Sequence, residues 1–350
     1  MEWLLDVWFV LWGVLWGVYF LLDGYDFGIS MWLPLLGAGS ERERTAMYQA
    51  TGPFWDGNEV WLITAGGVTF AAFPLAYAVL FSSLYTPLLI LLFCLILRGV
   101  VYELRFQVFN RWYRLICDGI SFLASLVAAL LLGVAFSNLF RGLPIQLQDV
   151  QGAGQFYMYQ GNILNLLHPY CLLGGVVFIL LFLVHGALYL SWRVEKSELK
   201  NKAFYMAKIT WPLFLIAFLV YVAFTFLWAF APFLEGNYLK VPILFALPAL
   251  CAVLFLLSGY YIYFKNSPGR AVLASCGGIL TFTLTGVMGM YPNLIPSRID
   301  PASNLTIQAG ASTIPTLTIM FCVAGVMVPV VIIYQIWAHK KLSWEVKADY

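Results

Sequence analysis

Two pairs of carboxylates stand out in the sequence because each lies in or beside an apolar stretch. Asp23 and Asp26, in DGYDFGISMWLP, are three residues apart, and so are Asp56 and Glu59, in GPFWDGNEVWL. Inside a membrane, an ionisable side chain is costly unless it is paired or hydrated, so its default interpretation is functional. Carboxylates in such places can accept, hold and release protons.

The composition predicts that these acids belong to a membrane protein. The chain of 350 residues is 62% hydrophobic and 17% aromatic, and only 10% of its residues are charged. Soluble domains contain about 25% charged residues. A transmembrane helix needs about 20 mostly apolar residues. We predict nine spans, at residues 8–30, 58–80, 82–104, 117–140, 163–190, 208–232, 241–264, 270–291 and 314–338.

The basic residues indicate the orientation of these spans, because Lys and Arg are retained on the cytoplasmic side. Of the 19 basic residues, only Arg141, Lys240 and Arg298 fall on one side. The others fall on the opposite side, at Arg42, Arg44, Arg98, Arg105, Arg111, Arg114, Arg193, Lys196, Lys200, Lys202, Lys208, Lys265, Arg270, Lys340, Lys341 and Lys347. We therefore expect an outer N-terminus and a cytoplasmic C-terminus. The first apolar segment, at residues 8–30, lacks the small-residue cleavage site of a signal peptide, so we expect it to be a permanent span.

The predicted fold class is all-α, as a single integral membrane domain. Two long connections divide the spans into a first four-helix bundle at residues 1–140, a second at residues 163–291, and a ninth, peripheral helix at residues 314–338. The six cysteines lie in or beside spans without a CxxC motif, as packing residues do. We attribute the net charge of +2 to the basic residues that set the membrane topology. The sequence has no basic patch interleaved with aromatic residues of the kind that binds nucleic acid.

The first span is expected to pack on two faces. One face carries an aromatic stripe that leads to the acids, formed by Trp12, Trp16, Tyr19, Asp23 and Asp26. Small residues on another face allow a neighbouring backbone to approach closely, and these are Gly13, Gly17, Gly24 and Gly28. An alternative is that the two aspartates are interfacial and bind loop amides where the helix frays before Pro34.

The second pair of acids would open span 2 from the same membrane side. A structural alternative is a capping box, with Asp56 as the cap and Glu59 reaching back, while Trp55 and Trp61 belong to an aromatic belt. Arg98 is the nearest counter-charge, although it could instead snorkel to the interface. Four carboxylates and one guanidinium suit proton uptake, because crowding and burial favour protonation of some acids.

No two of the three histidines are placed by the sequence as a pair of haem ligands. Haem iron commonly takes His or Met from facing helices. His168 and His185 lie about 25 Å apart along one predicted helix, and His339 lies in the basic tail. His185 could be one ligand or a structural histidine. With no P-loop, Rossmann fingerprint or metal-spaced acids, we expect most of any electron-transfer chemistry to lie outside this chain.

Three stretches resemble subunit II of the cytochrome bd-type quinol oxidases, the bacterial terminal oxidases. They are residues 23–34, residues 52–74, and residues 290–312, which read MYPNLIPSRIDPASNLTIQAGAS. The resemblance implies a subunit of an electrogenic, proton-translocating oxidoreductase of the respiratory chain in the bacterial cytoplasmic membrane. It implies a heterodimer with subunit I, which carries haem b and haem d, oxidises quinol and reduces O2 to water.

The resemblance matches Asp23 and Asp26 to the family's DGxD acids, Trp55 and Asp56 to its WD motif, and Arg98 to the basic residue that closes span 3. The expected proton route consists of Tyr19, Asp23, Asp26, Asp56, Glu59 and Arg98. Glu59 stands where some relatives have Gln. The residues expected near a haem or quinone are Trp55, Trp61 and His185. A structural quinone in this chain and a small single-helix accessory subunit are left open.

Two other classes of function remain as alternatives. A proton-coupled transporter would also use membrane acids, but it would place them near the midplane at broken helices, whereas these acids lie off-centre. A purely structural scaffold would leave the acids replaceable.

Overall fold

The computed structural model describes residues 3–38, 40–150, 154–195, 197–227 and 230–342. The helices are α1 (Trp3–Leu36), α2 (Glu41–Thr51), α3 (Trp55–Ala72), α4 (Pro74–Ser83), α5 (Tyr85–Leu104), α6 (Arg111–Arg141), α7 (Ile163–Leu166), α8 (Pro169–Arg193), α9 (Glu198–Phe226), α10 (Pro232–Lys240), α11 (Ala246–Tyr263), α12 (Pro268–Met290), α13 (Ile307–Gly310) and α14 (Ile314–Lys341). The strands are β1 (Ile145–Val150), β2 (Gly154–Tyr159), β3 (Asn293–Ile295) and β4 (Leu305–Thr306).

Eight of the described helices are long and apolar enough to cross a membrane, so the prediction of an all-α, multi-pass membrane protein is confirmed. They are α1, α5, α6, α8, α9, α11 with its preceding turn, α12 and α14. The prediction of one continuous helix over residues 58–80 is wrong. The chain leaves the helix at Phe73, between α3 and α4, because Pro74 has no N–H for an intrahelical bond and its ring clashes with the preceding turn.

Helix α1 is the central element of the described structure. It packs against α3, α6, α8 and α12, and most of its side chains are buried. It therefore contacts helices from both halves of the chain, and the division into bundles at residues 1–140 and 163–291 remains a prediction. Helix α14 lies at the periphery of the described structure, with little of its surface buried.

The glycines of α1 are the points at which two helices approach it closely. Gly13 and Gly17 face α12, whereas Gly24 and Gly28 face α8. A Cβ added at Gly28 would overlap the backbone of Phe182, so no other residue fits there without moving α8. The absence of side chains at these four positions therefore sets the spacing of three helices.

The connection between α6 and α7 contains strands that the sequence did not predict. Strands β1 and β2 form an antiparallel hairpin, and β3 pairs with β4 in the connection before α14. The backbone N–H of Leu147 donates a hydrogen bond of 2.9 Å to the hydroxyl of Ser303, which joins the two connections. Of the basic residues used to predict the orientation, Lys196 and Lys347 lie outside the described residues.

Candidate functional site

One acid of each predicted pair, Asp23 of the first and Glu59 of the second, binds Arg98 in the protein interior. Nη2 of Arg98 donates hydrogen bonds of 2.5 Å to Oδ1 of Asp23 and to Oε1 of Glu59. Asp23 and Arg98 are completely buried, whereas the side chain of Glu59 is 21% exposed. The guanidinium carbon of Arg98 also lies 4.2 Å from the ring centre of Phe27. Helices α1, α3 and α5 thus share one cation between two carboxylates, and we call Asp23, Asp26, Glu59 and Arg98 the Arg98 cluster.

Asn58 holds the remaining acid of this cluster. Its side-chain nitrogen donates hydrogen bonds to Oδ2 of Asp26, at 2.8 Å, and to the hydroxyl of Tyr25, at 2.6 Å. Both Asp26 and Asn58 are fully buried. The sequence pattern did not predict a role for Asn58, although an asparagine beside Glu59 at the start of a predicted span is a signal for one.

Several polar atoms of the cluster have no hydrogen-bond partner among the described residues. They are Oδ1 of Asp26 and Nε and Nη1 of Arg98, whereas the hydroxyl of Tyr19 lies beside the carboxylate of Asp23. Buried polar atoms are nearly always hydrogen-bonded, to protein or to ordered water. These atoms belong to the buried part of the Arg98 cluster and keep hydrogen-bonding capacity there.

The structure decides between the alternatives for the first acid pair. Helix α1 continues to Leu36, so Asp23 and Asp26 lie within the helix and bind side chains of other helices rather than loop amides at a frayed end. Arg98 does not snorkel to the interface, because its side chain is completely buried.

The capping alternative for the second pair is also wrong. The residue that caps α3 is Phe54, which makes no side-chain capping bond, and Asp56 lies in the first turn. Glu59 binds Arg98 instead of reaching back to the helix start. Asp56 is exposed, has no ion-pair partner among the described residues, and is not joined to the Arg98 cluster by a direct bond. It lies one turn before Glu59 on α3.

The two tryptophans of α3 have different surroundings. Trp55 stacks on Tyr102 of α5, with ring centres 5.2 Å apart and planes at 20°. The hydroxyl of Tyr102 lies 2.8 Å from that of Thr51 in α2. Trp61 is buried in the apolar core. Trp55 therefore fixes the start of α3 against α5, beside Arg98.

The described histidines are each held by hydrogen bonds within this chain. The ring nitrogens of His185 are both hydrogen-bonded at 3.0 Å, to the carbonyl oxygen of Leu21 and to the hydroxyl of Ser275. His168 caps α8, and His339 is bonded to the backbone of its own helix. No group of three or more metal-binding side chains occurs within the described part of the chain.

A second ion-pair network lies at the neighbouring end of α5 and α6. Nε of Arg105 donates a hydrogen bond of 2.6 Å to Asp118, and Nη2 of Arg105 lies 3.1 Å from Glu41 of α2. Arg114 and Arg44 also pair with Glu41, at 2.9 Å and 3.4 Å. The sequence placed these arginines on one membrane side but did not predict their partners.

A family model for subunit II of the cytochrome bd terminal oxidases matches residues 4–342. The chain belongs to this family. It is 32% identical to the probable cytochrome oxidase subunit 2 of Haemophilus influenzae, over 100% of this chain and 97% of that protein. It is 33% identical to the cytochrome bd ubiquinol oxidase subunit 2 of Bacillus subtilis, over 95% and 94% of the two chains.

Two further comparisons agree with this family. The identity to the cytochrome bd-I ubiquinol oxidase subunit 2 of Escherichia coli is 33%, over 96% of this chain and 93% of the relative. A chain of the bd oxidase of Geobacillus thermodenitrificans has the same fold, with a TM-score of 0.77 at 15% identity over 98% and 99% of the two chains.

Family membership confirms the resemblance carried by the three sequence motifs. The chain is a multi-pass bacterial membrane protein and a subunit of a cytochrome bd-type quinol oxidase, an oxidoreductase complex that implies haem and quinol. The alternative of a proton-coupled transporter has no support in these matches.

Proposed function

We propose that the chain pairs with a haem-bearing subunit I and that its Arg98 cluster takes up protons for the reduction of O2 to water. The observation that carries this proposal is the burial of Arg98 between Asp23 and Glu59. A structural ion pair needs one carboxylate for one cation. Here two carboxylates bind a single guanidinium, and a third buried acid, Asp26, lies one helical turn from Asp23.

The charge balance of the cluster favours the binding of protons. If Asp23, Asp26 and Glu59 were all ionised, three negative charges and one positive charge would leave a net charge of −2 in a largely buried site. Unpaired buried charges are strongly unfavourable. A proton on one of the acids reduces this cost, and Arg98 can hold whichever of its two partners remains ionised.

The geometry gives each acid a step in a proton route. Glu59 is partly exposed and can exchange protons with water at its end of the helices. Asp56, one turn earlier on α3, is exposed and can collect protons there. Asp23 shares Nη2 of Arg98 with Glu59, and Asn58 fixes Asp26 beside them. Water bound to the free oxygen of Asp26 would complete the connection.

The proposed orientation places this end of the helices in the cytoplasm and the N-terminus outside. It rests on the distribution of Lys and Arg along the sequence. The contacts support it, because Arg44, Arg105 and Arg114 gather around Glu41, and Lys202 of α9 binds Glu43 of α2 at 2.9 Å.

We place haem b and haem d on the partner subunit. Both ring nitrogens of the buried His185 are hydrogen-bonded within this chain, and we assign no electron-transfer step to it. In the complex, quinol would supply the electrons for O2 and the haems of the partner subunit would carry them, while this chain would supply helix contacts and protons. A structural quinone and a small single-helix accessory subunit are compatible with this arrangement.

Optical spectra test whether the haems are bound by the partner subunit. The complex purified with its partner should show b-type and d-type absorbance, whereas the chain purified alone should bind no haem stoichiometrically. His185→Ala should leave the haem content of the complex unchanged if assembly persists. One haem per isolated chain, lost in His185→Ala, would overturn the assignment.

A further inference from the structure

A pocket of about 440 Å³ opens at the end of the helices that we place in the cytoplasm. It lies between the connection from α1 to α2 and the connection from α5 to α6. Its polar lining is dominated by arginines, with Arg44, Arg111 and Arg114 set against Glu41 as the one acid. These four side chains give the lining a net charge of +2, which favours an anionic ligand.

Two of the three arginines are already engaged. Arg44 and Arg114 pair with Glu41, and Arg114 also donates a hydrogen bond of 3.2 Å to the carbonyl oxygen of Val108. Arg111 is exposed, and its guanidinium has no hydrogen-bond or ion-pair partner among the described residues. A guanidinium presents a planar fork of donors that matches the oxygens of a phosphate.

The pocket adjoins an apolar surface that continues along α6. Phe109, at the rim, is 92% exposed, and Trp112, one residue after Arg111, is 74% exposed. Ile116 and Leu123 follow on the same helix face, at 62% and 57% exposed. Gly119 lies between them, and no atom lies within 4 Å of an added Cβ there, so the face has a shallow depression.

We propose that this pocket binds the phosphate of an anionic phospholipid whose acyl chain lies along the outer face of α6. The arginines would hold the phosphate, and Trp112 would sit at the headgroup level, where tryptophan is enriched in membrane proteins. Polybasic sites next to a membrane bind anionic lipids by the same attraction. Inorganic phosphate offers the same charge without a chain to occupy the apolar face, so the lipid is the occupant that uses both parts of the site.

Thermal unfolding of the purified oxidase complex in detergent tests the proposal. Phosphatidylglycerol should raise the unfolding midpoint, because a ligand that binds the folded state stabilises it, whereas phosphatidylcholine and inorganic phosphate should not. Arg111→Gln should weaken the apparent affinity for phosphatidylglycerol about fivefold, the effect of one basic residue near a membrane surface. Trp112→Ala should weaken it as well.

Arg42→Gln is the matched control, since Arg42 is an exposed arginine of α2 at the same end that does not line the pocket. It should leave the response to phosphatidylglycerol unchanged. Equal loss in Arg42→Gln and Arg111→Gln would show a general surface-charge effect and overturn the site. Equal stabilisation by phosphatidylcholine, or by inorganic phosphate, would overturn the anionic lipid as its occupant.

Discussion

Arg98 and Asp23 form an ion pair in which Nη2 and Oδ1 are 2.5 Å apart and both side chains are inaccessible to solvent. The two residues are 75 positions apart in the sequence, on α5 and α1. Breaking such a pair leaves an uncompensated buried charge, which is strongly destabilising. The pair therefore joins the central helix to α5 at the place where the proton route is proposed.

The first prediction concerns Arg98→Gln, which removes the cation and leaves Asp23 buried without it. We expect the complex to lose about 3–5 kcal/mol of stability, the usual range for breaking a buried pair. The double variant Asp23→Asn with Arg98→Gln should lose less stability than the sum of the losses in the two single variants, because neither member of the Asp23–Arg98 pair is then left as an unpaired charge. Thermal unfolding of all three variants measures this coupling, and strictly additive losses would contradict it.

The second prediction concerns Asn58→Leu, which removes the donor that holds Asp26. We expect turnover per haem to fall, because Asp26 loses its fixed orientation and an apolar group excludes water from beside it. Asn138→Leu is the control, since Asn138 is equally buried but binds only the carbonyl oxygens of Val134 and Leu166. If both variants keep full turnover per haem, Asn58 does not take part in the proton route.

The sequence predicted which residues form the site better than it predicted how they bind. Asp23, Glu59 and Arg98 could be grouped because hydropathy places all three at one end of their spans. Their shared hydrogen bonds join α1, α3 and α5, and no local pattern specifies a contact over such a distance in sequence. Asn58 was not predicted as a site residue because an amide does not ionise, although its side chain donates a hydrogen bond to Asp26.

The sequence predicted the parts of the fold that depend on the length of an apolar segment. It did not predict the parts that depend on local backbone chemistry. Pro74 was visible in the sequence, but hydropathy alone joined α3 and α4 into one span. Strand β1 reads IQLQDV, an alternation too short to distinguish from a loop without its partner β2. The sequence indicated that a neighbouring helix approaches Gly28 closely, but it did not indicate which helix this is.

The third prediction uses the glycines of α1. Gly28→Ala should lower the yield and the thermal stability of the complex, because a Cβ there overlaps the backbone of α8. Overpacking of this kind costs about 1–3 kcal/mol. Gly325→Ala in α14 is the control, since an added Cβ meets nothing within 4 Å, and it should be neutral or slightly stabilising. Equal stability of the two variants would show that α8 can move away from α1 at little cost.

The fourth prediction concerns pH and His168, which caps α8 and lies just before the candidate span Pro169–Arg193, so the predicted span at residues 163–190 begins too early. Burial, together with the charges of Arg141 and Arg298, lowers the pKa of His168 below its ordinary value of 6.5. The unfolded chain therefore binds a proton more readily than the folded one. This contribution to stability is present above pH 6.5 and is lost as the pH falls through the lower pKa of the folded state.

His168→Asn tests this dependence, because Asn caps a helix without titrating. The unfolding midpoint of the complex should fall less in the variant than in the wild type between about pH 7.5 and about pH 5.5. Identical pH profiles would show that His168 does not contribute to acid sensitivity.

The fifth prediction concerns the acids of the proton route. Asp23→Asn keeps an oxygen for Arg98, which also retains Glu59, so assembly and haem content should persist. An amide cannot pass a proton as a carboxylate does, and turnover should fall at least about tenfold, equivalent to more than about 1.4 kcal/mol in the barrier. Asp56→Asn should act in the same direction, and Asp56→Glu should retain part of the rate. Asp149→Asn, at an exposed position of strand β1, should have no effect.

The most direct measurement is quinol-driven O2 consumption, with proton uptake from the cytoplasmic side, by complexes of equal haem content reconstituted in vesicles. If the Arg98 cluster conducts protons, both rates fall together in Asp23→Asn and remain normal in Asp149→Asn. Full turnover with normal proton uptake in Asp23→Asn would contradict the proton route and leave the chain a structural partner of the haem-bearing subunit.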